Sequence, residues 1–117
     1  MWILLLLPLI SETEKEACER LAPAYAADVE VTLPDGTRCD LLSDDTAWEI
    51  DWAPKWQQAV GQSLLYAIWS ERQPGIILLT RGDEDKLHVL RCKLVCERAN
   101  ITLRIEKTDR PVPLHTE

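Results

Sequence analysis

With 117 residues, 46% of them apolar and 28% charged, the chain has the length for one domain with one core and too little for two. The composition excludes a disordered polymer. A formal net charge of −7 excludes a protein that holds nucleic acid by bulk electrostatics, because phosphate contacts need Lys and Arg. The charge is uneven: residues 1–52 carry three basic and twelve acidic side chains, and residues 81–110 carry eight and six, so a local phosphate-facing patch would have to come from the second half.

The chain opens with MWILLLLPLI. This run is too short to span a bilayer, which takes roughly 20 apolar residues, so no stable membrane insertion is expected. As an export signal it has a Leu-rich centre but lacks a basic leading region, and SETEKEACER follows where a small, neutral cleavage site belongs. Two readings stay open: a signal peptide, which would make the protein exported or periplasmic, and a buried strand or extended arm ended by Pro8 in a cytoplasmic protein. Residues 1–10 are therefore set apart from a single domain over residues 11–110, with residues 111–117 as a tail.

Ser11 and Glu14 have the spacing of a capping box, which predicts a helix starting at Ser11 and stopped by Pro23. Glu12, Glu14 and Glu16 suit the positive end of that helix dipole; the alternative is that one of them reaches a metal site. Asp28 to Leu33 reads as a strand with Val29, Val31 and Leu33 on one face, and Pro34-Asp35-Gly36 is a turn in which Pro presets φ and Gly accepts a positive one. A second strand covers Thr37 to Leu42 and a third Ala47 to Trp52, after the turn Ser43 to Thr46, giving an antiparallel meander. In AWEIDW, residues two apart share a face, so Glu49 and Asp51 lie opposite Trp48, Ile50 and Trp52. Pairing of the second and third strands would bring Asp40 beside Glu49, and two carboxylates on adjacent strands can hold a divalent metal.

Pro54 suits the first turn of a helix, and Gln57 to Arg72 runs without a breaker other than Gly61 until Gln73-Pro74-Gly75. Val60, Leu64, Ala67 and Ile68 recur at helical spacing and should face the sheet. Lys55, Gln58, Gln62 and Tyr66 form a second row at steps of three and four, beginning four residues after Asp51. Ile76 to Thr80 is a continuous apolar run, the pattern of a strand buried on both faces. Asp83 can cap a helix to about Arg98, and Ile101 to Glu106 alternates as a last strand. A helix between the third and fourth strands implies a right-handed crossover and a parallel pair, hence a mixed sheet of the α/β (α+β) class.

The order α-β-β-β-α-β-α-β, with Asp40 and Glu49 on consecutive strands and a helix after them, resembles the PD-(D/E)XK nuclease superfamily of restriction-endonuclease-like fold. Asp40 and Glu49 match its two acids, while Asp51 stands where its lysine is expected; some branches supply the lysine from the following helix, where Lys55 is the candidate. Gln62 and Tyr66 resemble the Gln-x3-Tyr motif of RecB-like members, in a helix that helps position DNA. The run EIDWAPKWQQAVGQSLLYA looks most like small bacterial proteins with an E-x-D-x3-K-W and G-Q signature, many carrying export signals.

The resemblance implies a nuclease acting on nucleic acid, DNA rather than RNA, with Mg²⁺ or Mn²⁺ held by Asp40, Glu49 and the backbone carbonyl of Ile50. Hard cations prefer such oxygens. Lys55 would orient the attacking water or stabilise the transition state, and Gln58, Gln62 and Tyr66 would contact substrate. Asp51 could add a ligand to a second metal, pair with Lys55, or cap the helix at Pro54. The competing class is a domain of the same fold without activity, acting as a protein-interaction or structural module.

His88, Cys92 and Cys96 fall at steps of four on one predicted helix, but a rise of about 12 Å between the first and last forbids a single ion. Buried free thiols are expected there. Cys18 and Cys39 would be candidates for a disulfide if the chain is exported.

Overall fold

The computed structural model describes residues 12–108, so the apolar segment 1–10, Ser11 and the tail 111–117 lie outside the described residues. The first helix, α1 (Glu14–Leu21), begins at Thr13. The capping box is that of Thr13 and Glu16, two residues later than Ser11 and Glu14: the Glu16 N–H donates to Thr13 Oγ1 at 3.1 Å and the Thr13 N–H to Glu16 Oε1 at 2.8 Å. The same spacing of hydroxyl and glutamate recurs at both positions. The later start leaves Glu12 outside the helix, where it receives a two-pronged bond from Arg20 at 2.6 and 2.9 Å. Pro23 is accommodated in a 3₁₀ turn, Ala22–Tyr25, after the α-helix has ended.

Strands β1 (Asp28–Thr32), β2 (Arg38–Leu42) and β3 (Thr46–Trp52) follow as an antiparallel meander. After a 3₁₀ turn at Ala53–Lys55 comes α2 (Trp56–Ser70), then β4 (Gln73–Thr80) parallel to β3, α3 (Lys86–Ala99), and β5 (Thr102–Lys107) parallel to β4. Together they make one five-stranded mixed sheet in the order β1-β2-β3-β4-β5, the α/β class that the alternation of strand and helix patterns predicts. Asp83 does not cap α3. It opens a 3₁₀ turn, and Asp85 is instead pinned by Arg81, whose guanidinium donates to it at 2.7 and 3.1 Å.

The sheet separates two apolar layers. Trp48, Ile50 and Trp52 face α1 and pack with Ala17, Cys18, Leu21 and Leu41. The opposite face packs Ile76 and Leu78 against Ala59 of α2 and Cys92 and Cys96 of α3. β4 is buried along most of its length, since helices cover it on both sides.

Two expectations about faces are corrected. The buried residues of α2 are Ala59, Ser63 and Tyr66, whereas Leu64 is 38% and Ile68 68% exposed. Ala59 and Ser63 let the helix approach the sheet closely, Val60 packs there as expected, and Leu64 and Ile68 are turned outward. Val29, Val31 and Leu33 do not share a face either. Val29 packs on the α1 side and Leu33 on the other, with Cys39, Ala47 and Tyr66.

The alternation fails at one step of the hairpin. Leu41 belongs to the α1 layer and Cys39, two residues away, to the opposite one. Between the pairs Val29↔Leu41 and Val31↔Cys39 lie Glu30 and Asp40, and Glu30 has φ +53. A left-handed residue inside a strand costs about 1 kcal/mol or more, and here it shifts the phase of both strands at Asp40.

Candidate active site

Asp40, Glu49, Asp51, Lys55, Gln58, Gln62 and Tyr66 all line one cleft of about 390 Å³. The eighth lining residue is Glu14, the first residue of α1. Strand period places Glu49 and Asp51 on the side away from Trp48 and Trp52. The row on α2, with Lys55 at its N-cap, then runs along the cleft. All seven predicted side chains thus converge. Which of Glu12, Glu14 and Glu16 reaches the cleft depends on where the end of α1 points, and the fold brings Glu14.

The β2–β3 ladder ends at Leu41↔Trp48. Its continuation would set Asp40 opposite Glu49, but a side chain takes over from the backbone: the Ile50 N–H donates to Asp40 Oδ2 at 2.8 Å. The Cys39 thiol in the same way donates to the Trp48 carbonyl at 3.8 Å. A strand residue's N–H and C=O point to the same side, so the Ile50 carbonyl is directed to the β2 edge as well.

Burial dominates the electrostatics. Glu49 is 6% and Asp51 4% exposed. Removal from water, then the charge of Asp40, pushes Glu49 up to about 10. Burial also raises Asp40, partly offset by its bonds to Glu49 and to the Ile50 N–H. The two carboxyls lie close enough to share a proton. Asp51 is pushed up to about 7 by burial and by Glu14, and held back by the Trp52 N–H, which donates to its Oδ1 at 2.8 Å, and by the positive charge of Lys55. Asp51 therefore does not cap α2: its bond is to the backbone of the residue that follows it. Tyr66 is 5% exposed and its hydroxyl donates to Glu49 Oε1 at 2.9 Å.

The donor set fits a hard divalent cation in kind. It offers carboxylate and carbonyl oxygens and no nitrogen or sulfur. Among the described residues no three His, Cys, Asp or Glu side chains are arranged to ligate one ion. A cation at Asp40 and Glu49 would therefore need a main-chain oxygen, and the Ile50 carbonyl is directed to that edge.

The cysteines are buried free thiols. Cys92 and Cys96 lie 3.8 Å apart, sulfur to sulfur, on the buried side of α3. Cys18 and Cys39 are not joined, for they pack on opposite faces of the sheet. No helix among the described residues is long and apolar enough to cross a membrane.

In comparisons with known proteins, no family model matches the chain and no solved structure matches it. It is similar to the KilA-N domain-containing protein L33 of Acanthamoeba polyphaga mimivirus, at 31% identity over 96 residues, 81% of this chain. The chain spans 37% of the length of that relative.

Proposed function

We propose that the protein is a metal-dependent nuclease of the PD-(D/E)XK type, hydrolysing phosphodiester bonds of nucleic acid, DNA in preference to RNA. One observation carries the reading: Asp40 and Glu49, from adjacent strands, meet in the same cleft as the Lys55 side chain from the start of α2. Asp40, Glu49 and the Ile50 carbonyl would hold Mg²⁺ or Mn²⁺. When bound, such an ion lowers the pKa of a water and polarises the phosphate.

The chain's own groups do the rest. Lys55 is a fixed positive charge at the cleft, suited to orienting the attacking water or to stabilising charge that develops on the phosphate. Asp51, whose proton is balanced near neutrality, is suited to taking a proton from that water or pairing with the Lys55 ammonium. Gln58 and Gln62 present amides that can both donate to phosphate oxygens and read base edges. Tyr66 we assign a positioning role, since its buried hydroxyl is engaged by Glu49. The mimivirus relative is described as containing a KilA-N domain, and since the chain spans 37% of that protein, the substrate class rests on the cleft chemistry.

A second reading, an inactive domain of the same fold serving a protein partner, is favoured by one observation. Four carboxyls surround the cleft against one amine, and without a cation they repel phosphate. A single experiment separates the two. The purified protein is incubated with plasmid, linear and single-stranded DNA and with RNA, in Mg²⁺ or Mn²⁺, beside Asp40→Ala and Glu49→Ala. Cleavage abolished by either substitution supports the nuclease; no cleavage together with no Mn²⁺ binding by calorimetry overturns it.

A further inference from the structure

The sheet ends in two edge strands that differ. At β1 the left-handed Glu30 interrupts the backbone, the kind of irregularity that discourages another strand from pairing. β5 has no such irregularity; its charged side chains include Arg104, whose guanidinium donates to the Leu103 carbonyl at 3.1 Å. It pairs with β4 in an unbroken register from Gly75↔Thr102 to Thr80↔Lys107, and among the described residues no strand lies beyond it. Alongside, α3 and β5 border a largely apolar groove of about 450 Å³, lined by Val89, Lys93, Glu97, Ile101, Leu103 and Ile105.

We propose that this edge is the docking surface for a second copy of the chain, β5 pairing antiparallel with β5 about a two-fold axis. The edge is self-complementary. With Ile105 opposite its twin, Arg104 faces the partner's Glu106 and Glu106 faces the partner's Arg104, both pairs on the face of the strand where the Tyr25 hydroxyl donates to Glu106 Oε2 at 2.6 Å. On the groove face Ile105, 43% exposed in the single chain, meets the partner's Ile105 and is covered. Leu103 lies opposite the partner's Lys107, whose aliphatic stem can cover it. Leu90 and Leu94, 51% and 58% exposed, lie on the outer face of α3, opposite the buried Cys92 and Cys96, and take no part in this pairing. One association thus accounts for the open edge, the groove and the exposed Ile105. A separate set of exposed apolar side chains, Leu64, Ile68 and Trp69, lies on α2.

The 117-residue chain is examined by sedimentation equilibrium at micromolar concentrations, beside Arg104→Glu, Glu106→Arg and the double exchange. The expected mass is twice the 13.4 kDa of one chain. Each single reversal weakens the dimer about tenfold or more, and the exchange restores it. Ile105→Cys should form a disulfide-linked dimer on oxidation, which keeps the test decisive if a charge reversal fails to fold. A monomer overturns the proposal. So does a dimer that is indifferent to both reversals, is not cross-linked through position 105, or is lost on Leu64→Glu.

Discussion

The Tyr66 hydroxyl, seventeen residues further along the chain than Glu49, donates to its Oε1 at 2.9 Å inside the fold. This bond is what ties the middle of α2 to the acid at the centre of the cleft. Tyr66→Phe removes the donor and leaves the ring. Glu49 then loses a contact that favours its ionised form, and its pKa rises above about 10. Folding stability should fall by about 1 kcal/mol, read by urea unfolding, with Mn²⁺ binding weakened at the same time.

The raised carboxyls make stability fall as pH rises. Asp40, Glu49 and Asp51 all titrate above their ordinary values when folded, so the folded chain holds more protons than the unfolded one over that interval. Stability is therefore greatest below about pH 4 as far as these groups are concerned, and it is lost through the Asp51 value of about 7 toward the Glu49 value of about 10. Thermal melts in chelator should show this decline. Mn²⁺ should raise the melting temperature more at pH 8.5 than at pH 5.5, because a bound cation takes the place of protons.

Glu49→Gln replaces a carboxyl that prefers its proton by a neutral group of the same shape. In chelator at neutral pH the variant should be more stable than the parent by about 0.5–2 kcal/mol, while cleavage is abolished. Denaturant midpoints and cleavage assays on the same preparation check both halves. A Glu49→Gln protein less stable than the parent would contradict the strain assigned to this acid.

Lys55 is exposed and its ammonium acts on Asp51 through space. Lys55→Ala should leave unfolding nearly unchanged and raise the Asp51 pKa from about 7, since a stabilising charge is gone. Cleavage should drop about 100-fold. The pH–rate profile is the discriminating measurement: its limb due to Asp51 should move to higher pH.

Gly75 pairs with Trp48 across β3 and β4, and a Cβ there would lie 2.5 Å from Trp48 Cε3 and 2.7 Å from Thr46 Cγ2. Neither can yield easily inside a packed layer. Gly75→Ala should cost about 1–3 kcal/mol by overpacking. Because Trp48 precedes Glu49, the displaced ring should also perturb the cleft, visible as weaker Mn²⁺ binding.

The sequence by itself determined the periods. Alternation in AWEIDW placed Glu49 and Asp51 opposite Trp48, Ile50 and Trp52, and steps of three and four strung Lys55, Gln58, Gln62 and Tyr66 along one line of a helix. Those are local rules of backbone geometry, legible without a partner. Only the tertiary structure decided what depends on a partner: that Ala59, Ser63 and Tyr66 rather than Leu64 and Ile68 meet the sheet, that the left-handed Glu30 shifts the strand phase at Asp40, and that Glu14 of α1 closes on Asp51. Burial of the carboxyls, and hence their raised pKa values, belongs to the same category. A charge's cost depends on how much water its neighbours exclude, and neighbours distant in sequence are fixed by packing alone.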